Sequence, residues 1–186
     1  FLQANKKNKL DAWVPDLSHG SPDRKKFGEI VGTKQLGTNS SDVANDVALD
    51  SSGNIFVTGR NYGRLDGNSG AGDQDGFLVK YNSSGVKDWV NQFGTTAFDE
   101  GYGVSTDSSG NVYVVGHTSA SLDGQFYAGG SGDLLLIKYN PSGIRQWTRL
   151  LGTAFQEQGF AVATDSSENI YCFSLTLLTN IILIKG

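Results

Sequence analysis

One polar turn occurs three times, and it limits what this chain can fold into. It reads Asp50-Ser51-Ser52-Gly53-Asn54-Ile55-Phe56-Val57, then Asp107-Ser108-Ser109-Gly110-Asn111-Val112-Tyr113-Val114, then Asp165-Ser166-Ser167-Glu168-Asn169-Ile170-Tyr171-Cys172, at spacings of 57 and 58 residues. A Gly-Asn pair inside a polar turn, flanked by apolar runs, is a hairpin signal. Recurrence at a period near 50 points to stacked units that cannot bury their own faces.

Alignment on the turn gives a unit of four strands. The first lies near Asp46–Leu49, Tyr102–Thr106 and Phe160–Thr164, and the second over Ile55–Thr58 and Val112–Val115. A long Gly/Ser-rich connection leads to the third, Phe77–Tyr81 and Leu134–Tyr139. After the turns at Asn82-Ser83-Ser84-Gly85 and Asn140-Pro141-Ser142-Gly143, the fourth carries Trp89 or Trp147. The second and third strands are almost continuously apolar, as in Leu134-Leu135-Leu136-Ile137, which predicts burial on both faces. Twenty-five glycines against three prolines fit many tight turns rather than disorder. Antiparallel four-stranded units with both faces covered describe the blades of a β-propeller. Lys87, Asp88, Arg145 and Gln146 would sit on the outer edge, where charge discourages edge pairing.

Asp11-Ala12-Trp13-Val14 reads as the start of a third strand and Gly28 to Gly37 as a fourth. The expected division is a half blade with its extension over 1–37, blades over 38–94 and 95–152, and a truncated blade over 153–186, all one propeller segment. In the last unit Glu168 replaces the turn glycine, at an expected cost of about 1 kcal/mol in a left-handed conformation. Methionine is absent, at position 1 too, so a processed or trimmed chain is expected.

Asp-x-x-Gly-Asn-Ile-Tyr-Val-x-Gly, a Gly-rich loop, Asp-x-x-Leu-x-Lys-Tyr-Asn-x-x-Gly and a following Trp resemble the SBBP β-propeller repeats of bacteria, over residues 28–186 and most closely over Val43–Gly152. That resemblance implies secreted or surface-exposed proteins that present ligand-binding faces, and it supplies no catalytic motif.

About three blades cannot close a ring, since propellers have roughly four to eight. An uncovered blade face would leave several side chains exposed that are each worth about 1.5–3 kcal/mol when buried. The chain is therefore expected to belong to a longer propeller, to pair with a second copy in a six-bladed ring, or to be held as an open stack by other subunits.

A net charge of −4 argues against nucleic-acid or anionic-membrane partners; Arg24, Lys25 and Lys26 form one short basic run that reads as a solvated turn. The apolar run Leu175 to Ile184 is about half the length of a membrane helix. Cys172 is the lone cysteine, so no disulfide forms within the chain. His19 and His117 lack the ligand pattern of a zinc site, and no nucleophile sits in a Gly-x-Ser-x-Gly turn.

Length and variation gather on the connections between strands two and three and between successive blades, which share one end of a propeller. Arg60–Arg64 there aligns with His117–Ser121, and Phe98-Asp99 with Phe155-Gln156. Constant framework with differing loops is the pattern of recognition on a rigid scaffold, and also of loops that nothing constrains. Tyr62, Arg64, Phe98, Phe126 and Tyr127 are the expected ligand-binding residues, suited to stacking on a sugar or packing on a protein. The acidic loop from Asp66 to Asp75 has oxygen ligands at alternate positions, but no closing glutamate; Asp75 and Asp133 fit better as caps of backbone amides. Asp99, Glu100 and Glu157, read as exposed loop acids, could supply a glycosidase pair only across a suitable cleft.

The function expected is a non-catalytic interaction or structural module, without metal or cofactor, outside the cytoplasm (extracellular, cell-surface or periplasmic). Its expected partner is a protein or a second copy completing the propeller. A carbohydrate-binding propeller is the alternative, and a polysaccharide hydrolase or lyase stands behind both.

Overall fold

The computed structural model describes residues 33–68, 70–175 and 180–184, and within these every regular element is a strand. Three antiparallel sheets follow one another along the chain. The first holds β1 (Asp42–Leu49), β2 (Ile55–Tyr62), β3 (Gln74–Tyr81) and β4 (Lys87–Phe93). The second holds β5 (Asp99–Thr106), β6 (Val112–Thr118), β7 (Asp133–Tyr139) and β8 (Arg145–Leu151). The third holds β9 (Gln158–Thr164), β10 (Ile170–Leu175) and β11 (Asn180–Ile184). Each is a meander, the order of a propeller blade. The basic run Arg24–Lys26, the segment Asp11–Val14 and most of the half blade lie outside the described residues. The described part of the expected strand Gly28–Gly37, from residue 33, is irregular.

The repeated turn explains itself atom by atom. The amides of Ser52 and Asn54 both donate to Asp50 Oδ1 at 2.9 Å, and Asn54 Nδ2 donates to Oδ2 at 2.7 Å. Asp107 and Asp165 repeat the set with Ser109 and Asn111, and with Ser167 and Asn169. Burial alone would raise the carboxyls of Asp50 and Asp107. The hydrogen bonds from Asn54 or Asn111 and the turn amides outweigh it and hold both below the usual carboxylate range. The fourth turn position is left-handed throughout, with φ of 77° at Gly53, 78° at Gly110 and 63° at Glu168. The third turn therefore carries the strain expected of it.

Sheets stack face to face. Phe56, Leu78 and Phe93 of the first pack against Val104, Val112, Val114, Leu135, Ile137 and Tyr139 of the second. The other face of the second, through Tyr113, Val115, Leu134 and Leu136, meets Ile170, Cys172 and Val162 of the third. Every residue of β6 is buried and all but one of β7, as their apolar runs predict. Trp89 leans on Phe56 and Trp147 on Tyr113, with centroids 6.1 and 6.2 Å apart. Burial pushes the Cys172 thiol up to about 12. The first strands lie side by side, β1 beside β5 and β5 beside β9.

These first strands begin earlier than the sequence suggests. Asp99 and Glu100 open β5 and, with Glu157, are 0%, 3% and 5% exposed. Reading them as solvated loop acids is thus corrected: each is held by hydrogen bonds inside the framework.

Candidate functional site

The link between blades is built from a threonine and an acid four residues on. The Thr38 amide donates to Asp42 Oδ2 at 2.6 Å, that of Thr95 to Asp99 Oδ2 at 2.6 Å, and that of Thr153 to Glu157 Oε2 at 3.0 Å. The threonine hydroxyl then takes the amide two residues on, from Ser40, Ala97 or Phe155. Parallel bridges Gln74–Phe98 and Gly132–Gln156 tie the second and third links to the start of the preceding third strand. The equivalent of Phe98-Asp99 is therefore Gln156-Glu157, and the alignment with Phe155-Gln156 was one residue out. The Gly-Thr pairs Gly94-Thr95 and Gly152-Thr153 set the true register, in which the two phenylalanines are not equivalent.

All five expected recognition residues lie at this loop end, on three connections: Tyr62 and Arg64 from the end of β2 toward β3, Phe98 between β4 and β5, and Phe126 and Tyr127 between β6 and β7. Tyr62 closes β2 half-buried, its hydroxyl donating to Gln74 Oε1 at 2.7 Å, and Gln74 in turn bridges Phe98. Arg64 is exposed two residues further on. Phe98 is 57% exposed and Phe126 83%. Tyr127 is half-buried, and its hydroxyl donates to Gly130 O at 2.8 Å, so part of its polar tip serves the loop itself. Phe155, at 60% exposure, is a third bare phenylalanine on this end, one position before the equivalent of Phe98.

The loop from Asp66 is organised by charge pairing. Asp66, at φ 54°, accepts Lys87 Nζ at 2.6 Å; in the next blade Asp123, at φ 52°, accepts from Arg145 and Thr148. Asn68 donates its amide to Leu65 O at 3.0 Å. Asp75 and Asp133 cap the amides of Ala71 and Ala128, as expected of them.

Where the first strands meet, a polar cluster forms that sequence reasoning missed. Arg60 Nη1 donates to both oxygens of Glu100, at 2.9 and 3.2 Å. Asn45 Nδ2 donates to Glu100 Oε1 and Gly101 O, both at 2.8 Å. Beyond it, the Tyr102 ring stacks between His117, at 5.6 Å, and Phe160 of the next blade, at 5.3 Å. Burial pushes the His117 imidazole down, so it stays neutral near pH 7, and pushes the Tyr102 phenol up to about 12. Glu100 is committed to joining blades. A charged or aromatic residue just after the link was the available sequence signal, but nothing in one sequence pairs residue 60 with residue 100. Among the described residues, no group of three or more His, Cys, Asp or Glu side chains is placed to hold a metal ion.

The family model for the SBBP β-propeller repeat matches residues 31–61 and 88–123, the latter spanning the link, the cluster strands and the second Asp-Ser-Ser-Gly-Asn turn. No curated protein matches the chain.

Proposed function

From a chain that carries SBBP β-propeller repeats, we propose a non-catalytic interaction module of a secreted or surface-exposed bacterial protein. It recognises its partner through the loop end of the blades. The observation that carries this reading is the set of bare phenylalanines there: Phe98, Phe126 and Phe155 are 57%, 83% and 60% exposed, on loops whose backbones are fixed by their own hydrogen bonds. Rigid loops presenting aromatic side chains suit a partner's apolar surface, because little side-chain entropy is lost on docking. The repeat supports a propeller module that serves as scaffold rather than as a source of chemistry, and Tyr62, Arg64 and Tyr127 frame the same end.

The test is affinity capture from a cell-surface extract, comparing wild type with the triple change Phe98→Ser, Phe126→Ser and Phe155→Ser. A partner retained by wild type and lost by the variant, with melting unchanged, is the expected result. Equal retention of every species by both proteins would overturn it. A glycan array with the Tyr62→Ala and Tyr127→Ala variants separates the carbohydrate reading: sugar-specific signal lost in these variants favours a lectin.

The outer face of the first sheet supports the structural half of the reading. Val47 is 60% exposed, whereas Val104, at the same position one blade on, is 5% exposed beneath the first sheet. Val43, Val57, Phe77 and Val79 line a groove of about 410 Å³ on that side. Another blade, from the parent chain or a second copy, is the natural cover. Light scattering on the isolated chain distinguishes the two, since only self-association gives a mass that rises with concentration.

A further inference from the structure

One residue along from Glu100, and so on the opposite face of β5, Asp99 belongs to a different polar set. Asn61 and Asp75 are direct partners across β2 and β3, so their side chains share a face. Asp75 reaches from there to the link. Its Oδ1 and Asp99 Oδ2 both crowd the point where a Cβ on Gly94 would stand, which brings carboxylates of two blades together and keeps that residue a glycine. Asn61, Asp75 and Asp99 are 0%, 1% and 0% exposed.

The hydrogen bonds around this set leave a one-sided remainder. Asp75 Oδ2 accepts from Ala71 N at 3.0 Å and Gln92 Nε2 at 3.2 Å. Asp99 Oδ2 accepts from Thr95 N at 2.6 Å and Thr95 Oγ1 at 2.9 Å. Asn61 gives its amide to Gly63 O at 2.7 Å. Asp75 Oδ1, Asp99 Oδ1 and Asn61 Oδ1 complete no hydrogen bond, although the Gly72 amide lies near Asp75 and the Thr118 hydroxyl, which is given to Ala120 O, lies near Asp99. All three are acceptors, two belong to carboxylates, and unmet buried acceptors are costly. A single shared proton would satisfy the two carboxylates and leave the amide oxygen bare. A hard cation lying between the two carboxylates and the Asn61 amide would give all three oxygens a partner and balance both charges.

We propose that Asn61, Asp75 and Asp99 form a calcium-class cation site that clamps the first blade to the second. Two carboxylates and an amide oxygen are hard ligands, and the remaining positions fall to backbone carbonyls and water. Calcium accepts such an irregular set of six to eight oxygens, where magnesium demands a near-ideal octahedron and resists dehydration. With only two carboxylates the site belongs to the weak class, with dissociation constants on the order of 10⁻⁴–10⁻³ M. The matching position one blade on is less complete. Thr118 gives its hydroxyl to Ala120 O, and both Glu157 oxygens are engaged by Thr153. Only Asp133 Oδ1 is left without a partner there.

The experiment takes the whole chain, stripped with a chelator at neutral pH, and titrates calcium chloride to about 10 mM, roughly ten times the weakest constant expected. Thermal melting and calorimetry are followed together. The expected result is a saturable rise in melting temperature with calcium, smaller with magnesium at equal ionic strength and abolished in Asp99→Asn. Asn61→Ala keeps both carboxylates and guards against a misfolded Asp99 variant; it should weaken calcium binding about tenfold, the loss of one ligand worth about 1.4 kcal/mol. Asp123→Asn, an exposed pair elsewhere, should bind as wild type. A melt indifferent to calcium overturns the proposal, as does a rise matched by magnesium or retained in both Asp99→Asn and Asn61→Ala.

Discussion

Replacing Glu100 tests the link between blades more directly than any other single change. Its carboxylate accepts two hydrogen bonds from Arg60 and one from Asn45 while 3% exposed. Removing one partner of a fully buried ion pair costs about 3–5 kcal/mol. Arg60, however, keeps 35% of its side chain in water and can be rehydrated, which discounts the loss. Hydrogen bonds to a charged group are worth about 1.5–3 kcal/mol, so Glu100→Ala should cost about 2 kcal/mol. Glu100→Gln keeps one acceptor oxygen and should cost about half as much. In urea, with a slope of about 2 kcal/mol per molar, the alanine change moves the midpoint by roughly 1 M. Tryptophan fluorescence reads the transition, since Trp89 and Trp147 pack on the blade cores. A double-mutant cycle with Arg60→Met should return a coupling near 1 kcal/mol. A midpoint shift below about 0.2 M for Glu100→Ala, or zero coupling, would refute the assignment of Glu100 to holding blades together.

Three further outcomes follow from the same geometry. Glu168→Gly relieves the left-handed strain at φ 63° but loses the Ser109 hydroxyl bond at 2.8 Å, an exposed contact, so a net gain of about 0.5–1 kcal/mol is expected in the urea midpoint. Asp107→Ala removes the acceptor of two turn amides, the Asn111 side chain and the Tyr113 hydroxyl; it should cost about 2 kcal/mol or more, and Asp107→Asn less, by the same measurement. His117 has its pKa held below the unfolded value of 6.5, so the unfolded chain binds the proton more readily; its contribution is present above that pH and lost as pH falls through it. Thermal melts from pH 7.5 to 5 should therefore decline less steeply in His117→Gln than in wild type.

The blades were legible because their signals are local. An Asp-Ser-Ser-Gly-Asn turn fixes one hairpin, and Leu134–Ile137 has no wet face to offer, so order and burial both follow from short stretches. What escaped the sequence is whatever joins residues far apart in the chain. Asn45 and Glu100 are 55 positions apart and meet only because β1 and β5 run side by side. The acids Asp99, Glu100 and Glu157 looked like solvated loop residues, since a strand that begins with two carboxylates contradicts strand propensity. Glu100 and Glu157 are tolerated there because a guanidinium or a threonine satisfies them, and Asp99 is met at one oxygen by Thr95. Tyr62, Arg64, Phe98, Phe126 and Tyr127 share one end by topology alone, because strand two must return to the end opposite the Asp-Ser-Ser-Gly-Asn turn.

One structural device explains both the constancy and the variation of the blades. Each first strand carries a register shift, skipping Asn45, Tyr102 and Phe160 at equivalent positions. A bulged residue is freed from the ladder and its side chain can be re-aimed. Here it turns toward the next blade: Asn45 donates across to Glu100, and Tyr102 stacks on Phe160. The bulge also pushes the first strand's carbonyls against the second strand. A Cβ on Gly59 would collide with Val43 O, and one on Gly116 with Glu100 O, which accounts for the glycine that ends the Val-x-Gly motif. The third blade has Ser174 at that position, buried with its hydroxyl unpaired. The backbone of the first two blades is thus fixed by a glycine and a bulge, the third keeps the bulge alone, and the chemistry of each blade junction is set by which side chain the bulge releases. A polar junction and an aromatic one can therefore follow each other in a single chain without disturbing the sheets that carry them.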